Sequence, residues 1–119
     1  MVFLGDDSLS FEKKAHELAE MVRQTREYKE VQRAKTLINR KPRLANQLKT
    51  YQNDQRKLSR QRLSKEDMDK KMKVLQEDFD KLNKYNETRQ YMQSMGRLNE
   101  KIYNIVEKIY ESLEEDLTL

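Results

Sequence analysis

The chain has 119 residues and a mass of 14.5 kDa, which predicts a single domain spanning residues 1–119 rather than a catalytic domain joined to a regulatory one. With two Gly, one Pro, no Cys and one His, it has little turn chemistry for a β-sandwich or barrel. It also cannot form a disulfide scaffold, a thiolate or His-built metal site, or a cysteine nucleophile. The net charge of +4 conceals strong polarity: residues 1–39 carry seven basic and seven acidic side chains, residues 40–65 nine basic against Asp54 alone, and residues 66–119 nine basic against thirteen acidic.

Helical periodicity recurs along the chain. Phe11, Ala15, Leu18 and Val22 step by four, three and four and predict a first helix, with Ser8 or Ser10 as its cap and Glu12 in its first turn. Thr25 is placed to cap a second helix carrying Tyr28, Val31 and Leu37/Ile38. Asn39 to Pro42 closes it, because the residue before proline is pushed out of the α region. Pro42 suits the first turn of a third helix, whose stripe is Leu44, Leu48, Tyr51, Gln55 and Leu58. Ser64, followed by Glu66 and Asp67, starts a fourth helix with Met68, Met72, Leu75, Phe79 and Leu82 on one face. After a weak point at residues 83–86, a fifth helix carries Tyr91, Met95, Leu98, Ile102, Ile105, Ile109 and Leu113. Residues 1–7 and 114–119 are expected to fray, the latter because acids sit at the negative end of the helix dipole.

The fold class that follows is an all-α bundle of about five helices, the long ones running antiparallel. Leu, Ile, Val and Phe make up 26 of the 119 residues, close to the roughly 20 % level below which a core fails. A second copy, a paralogue or another partner is therefore expected to cover apolar surface. The seam assigned to that role is Met68, Met72, Leu75 and Phe79 on the fourth helix with Tyr91, Met95, Leu98, Ile102, Ile105 and Ile109 on the fifth. Met adapts to varied surfaces, so this face reads either as a flexible core or as a partner groove. Tyr103, Val106 and Tyr110 widen the apolar face of the fifth helix and predict burial on two sides.

The basic third helix is the other candidate. With Leu44 taken as the origin, Lys49, Arg56 and Arg60 fall at about 120–160°, with Lys57 just beyond, along an exposed ridge about 16 Å long. RNA, an acidic protein surface, or the acids of the fourth helix would each satisfy such a ridge. No aromatic side chain interleaves it for base stacking. His16 lies between Glu12 and Glu20 at i±4, a spacing that usually gives only local contacts. Asp67/Asp69 and Asp78/Asp80 diverge by about 200° on a helix and form no acid/base dyad. Phosphate loops and nucleophile elbows are absent, and an enzyme is not expected. No apolar run approaches the length of a membrane span, and Met1 to Asp7 lacks the pattern of a signal peptide.

Several stretches, in order, carry a resemblance: Ala15-His-Glu-Leu-Ala-Glu-Met-Val22, Glu27-Tyr28-Lys29, Ala34-Lys35, Pro42, Gln52 to Gln55, and Asn83-Lys-Tyr-Asn-Glu followed by Tyr91, Leu98, Ile102 and Ile109. Over roughly residues 8–113 the sequence resembles the YheA/YmcA/YlbF family. The resemblance implies an all-α, commonly self-associating cytoplasmic protein of low-GC Gram-positive bacteria. YlbF- and YmcA-like members act with a YaaT-like protein and influence ribonuclease Y-dependent mRNA processing, and through it competence, sporulation and biofilm formation. It therefore implies a non-catalytic regulatory adaptor with ribonuclease Y, YaaT-like proteins or a paralogue as partners. A direct RNA-binding protein and a purely structural oligomer are the alternatives. Some family members carry C-terminal cysteines linked to iron–sulfur clusters. This chain has none, so no cofactor is expected.

Overall fold

A computed structural model describes residues 4–119, with side chains from Ser10 onward. Five helices follow in order: α1 Leu4–Arg23, α2 Arg26–Asn39, α3 Pro42–Arg60, α4 Lys65–Leu82 and α5 Asn86–Leu117, with no strand among the described residues. The fold is the expected all-α one. The first helix begins earlier than expected, so Ser8 and Ser10 lie inside it rather than capping it. No proline precedes them, and Gly5 alone is a weak breaker. Expectations for residues 1–3 lie outside the described residues.

The breaks follow local chemistry. The Thr25 hydroxyl donates to the Val22 carbonyl at 2.6 Å and accepts from the Tyr28 N–H at 3.2 Å, ending α1 and capping α2 with one side chain. Lys41 has φ −120° and ψ 84°, outside the α region as a residue before proline must be, and Pro42 opens α3. Ser64 caps α4 by accepting from the Asp67 N–H at 3.2 Å, with Glu66 and Asp67 at the positive end of the helix dipole. The Arg89 guanidinium donates to the Asn83 carbonyl at 2.7 Å, satisfying an acceptor at the end of α4.

The chain divides into two compact units, Met1–Gln32 with Ser94–Leu119, and Arg33–Gln93. In the second unit, Ile38, Leu44, Leu48 and Leu82 form a buried cluster, against which Ala45, Tyr51, Tyr91 and Met92 pack. Here α3 and α4 run antiparallel: Tyr51 meets Phe79 with ring centroids 6.1 Å apart, while Leu58 and Gln61 share a cavity with Met68 and Met72. Thr88 is fully buried in this unit. In the first unit, Val31, Ser94 and Leu98 are buried. Glu27 pairs with Lys101 at 3.3 Å and Glu30 with Arg97 at 3.4 Å, tying the start of α2 to α5. The expected stripe on α1 is covered only at its C-terminal end among the described residues: Val22 is half-buried, whereas Phe11 is 77 % exposed and Leu18 is exposed as well.

Candidate interaction surfaces

The residues assigned to one seam fall in two units and two environments. Met68, Leu75 and Phe79 are half-buried against α3, and Met68, Met72 and Leu75 line a groove of about 440 Å³ with Tyr51 and Leu58. Met72 is exposed. Tyr91 belongs to the core of the second unit, and its hydroxyl accepts from Gln52 at 3.4 Å. In the first unit Leu98 is buried, Met95 and Ile105 are half-buried, and Ile102 and Ile109 are exposed.

This pattern on α5 has a simple geometry. At 100° per residue, Ile105, Leu98, Ile109, Ile102, Leu113, Val106, Leu117, Tyr110 and Tyr103 span an apolar arc about 160° wide, in that angular order. Exposure rises across the arc, from 8 % at Leu98 to 67 % at Tyr110 and 62 % at Tyr103. Among the described residues only one edge of the arc is covered, so the expected burial of Tyr103, Val106 and Tyr110 is not met there. The open edge has an acidic border: Glu107, Glu111 and Glu114 line a shallow cavity with Tyr103, Tyr110 and Leu117.

Lys49, Arg56, Lys57 and Arg60 are all exposed on α3. Arg56 donates to the Asn53 amide oxygen at 2.8 Å within the same helix. Lys57 turns toward α4 and borders a cavity of about 290 Å³ with Lys70 and Lys71, so the structure separates it from the other three. The charge also divides between the two units. The unit Arg33–Gln93 carries 17 basic and 8 acidic side chains, a surplus of nine positive charges. The other unit carries 8 basic and 13 acidic, a surplus of five negative ones.

Among the described residues, three carboxylates titrate below the usual range. Glu27 accepts from its own backbone N–H, the largest cause, and burial opposes this more strongly than either the Lys101 hydrogen bond or the Lys101 charge adds to it. Glu30 is held down by Arg26 and Arg97, and Glu87 by Lys41, whose ammonium lies 3.0 Å away. The Tyr51 hydroxyl is pushed above its usual value, chiefly by burial and further by the nearby Asp78 carboxylate. Among the described residues, His16, Glu12 and Glu20 are exposed, and no group of three or more His, Asp or Glu side chains gathers to hold a metal ion. None of the described helices is long and apolar enough to cross a membrane.

A further feature escaped sequence reasoning. Arg43 on α3, Lys81 in the last turn of α4 and Lys84 in the turn that follows surround one cleft, although Arg43 lies some forty residues from the other two in the chain. Only the positive surplus of residues 40–65 pointed toward Arg43.

Residues 11–114 match the model of the family described as control of the competence regulator ComK, YlbF/YmcA. No curated protein and no solved structure matches the chain.

Proposed function

Because the chain belongs to the YlbF/YmcA family, described as controlling the competence regulator ComK, we propose that it is a non-catalytic adaptor that works by assembly with other proteins and influences ribonuclease Y-dependent mRNA processing in the cytoplasm. The observation that carries this reading is the exposed apolar arc of α5 in the first unit, where Phe11 and Met21 of α1 are exposed as well. A large apolar side chain gains about 1.5–3 kcal/mol when fully buried, so seven exposed ones on one helix are a strong drive to association. The acidic border along the tyrosines favours a partner with an apolar centre and a basic rim.

The test is an affinity pull-down of the tagged protein from its own cells, with and without ribonuclease treatment, read by mass spectrometry. Ribonuclease Y, or YlbF-, YmcA- or YaaT-like proteins, are expected under both conditions, and are expected to be lost with Val106→Glu. Recovery of the protein alone, or recovery unaffected by Val106→Glu, would overturn the reading.

A further inference from the structure

We propose that the cleft between α3 and the end of α4 binds a segment of single-stranded nucleic acid. The cations take its phosphates, and Tyr85 takes a base. The cleft has a volume of about 920 Å³ and lies wholly within the unit that carries nine surplus positive charges. Its walls hold Arg43, Lys81 and Lys84. Among the described residues none of these three side chains has an ion-pair or hydrogen-bond partner, in contrast to Lys41 with Glu87 or Lys70 with Glu66. Three cations without an ion-pair partner, against the single carboxylate of Asp78, favour a polyanion in this concavity, because each phosphate bound releases condensed counterions.

Charge alone would suit an acidic protein surface equally well, but the cleft also carries chemistry suited to bases. Tyr85 is 48 % exposed at its rim, and Tyr51 forms part of its wall. Base–aromatic stacking needs an open π-face beside cations that hold the backbone. Asn46 and Thr50 add hydrogen-bonding groups that can meet a base edge or a sugar. A duplex keeps its bases stacked inside and cannot offer one to Tyr85, so the fitting ligand is a single strand. Among the described residues Asp78 is the one acid on the wall, and it opposes this charge. Arg43 lies about 100–140° around α3 from Lys49, Arg56 and Arg60, with Asn46 and Thr50 of the cleft wall in between. The inference is independent of the apolar arc on α5, and the adaptor reading stands or falls separately.

The test is fluorescence anisotropy with labelled 12-nucleotide oligouridylate and oligothymidylate, which separates RNA from DNA as the source of the ligand. Binding by the full chain is expected at about 50 mM salt, weakening with a log–log slope near −2 for three phosphates at about −0.7 each. The triple variant Arg43→Gln, Lys81→Gln, Lys84→Gln is expected to weaken binding more than tenfold and flatten that slope. Tyr85→Ala is expected to cost about tenfold with the slope unchanged, and Tyr85→Phe to restore affinity. Asp78→Asn, which removes only the opposing charge, is expected to tighten binding and covers the case of a triple variant that loses helicity. Absence of binding, an effect of Lys49→Gln, Arg56→Gln, Arg60→Gln as large as that of the cleft triple, or an unchanged Tyr85→Ala would overturn the proposal. Equal competition by polyglutamate would assign the cleft to an acidic protein instead.

Discussion

Thr88 offers a sharp test of the packing in the second unit. Its side chain is fully buried, and among the described residues its hydroxyl has no hydrogen-bond partner. A buried, unsatisfied hydroxyl costs about 1–3 kcal/mol. Valine has nearly the same shape and a helix propensity close to that of threonine, so Thr88→Val removes the cost without opening a cavity. We expect a stabilisation of about 1 kcal/mol. With an unfolding entropy near 2.1 cal/mol/K per residue, that raises the melting temperature of this chain by about 4 °C. Thr88→Ser keeps the hydroxyl and deletes the methyl, and should destabilise by about 1 kcal/mol. Urea unfolding followed by helical circular dichroism, at matched protein concentration, reads both as shifts of midpoint at constant slope. If the valine variant is destabilised while the serine variant is neutral, the hydroxyl is bonded and the reasoning is wrong.

Other substitutions probe neighbouring features. A Cβ added at Gly96 would meet nothing within 4 Å, so Gly96→Ala inside α5 should stabilise by about 0.5–1 kcal/mol in the same unfolding assay. Leu48→Ala removes a side chain from the buried cluster and should cost about 2–5 kcal/mol, lowering the urea midpoint of the chain. Acid should weaken the fold in a defined window. Glu27, Glu30 and Glu87 all titrate below their usual value near 4.5 when folded. Their contribution is complete above that value and is lost as the pH falls through the lowered folded values. The urea midpoint should therefore fall from about pH 4.5 downward, and less steeply in the triple variant Glu27→Gln, Glu30→Gln, Glu87→Gln.

Helix breaks were the most legible part of the sequence, since each rests on a few adjacent residues. Thr25, Pro42 and Ser64 act as expected because capping and proline geometry are local. The interior of the second unit was legible as well: Leu44, Leu48 and Leu82 all lie on expected stripes and are buried. A stripe does not say what will cover it. Met68, Leu75 and Phe79 face α3, whereas Ile102 and Ile109, with the same periodicity, face outward. Thr88 was within reach, for it extends the Tyr91, Met95, Leu98 stripe by one step of three. Its polarity hid a core position. The cleft of Arg43, Lys81 and Lys84 had no periodic signature, because two helices must first pair before the three cations meet.

The graded exposure around α5 separates two kinds of selection along one helix. Substitutions at Leu98 act on how much folded protein accumulates. Substitutions at Tyr103 and Tyr110 leave that abundance nearly untouched, because these rings bury little surface within the chain. Any intolerance there in a saturation-mutagenesis screen for activity would be imposed from outside the molecule. The difference between an abundance map and an activity map of α5 would therefore outline the partner's footprint residue by residue.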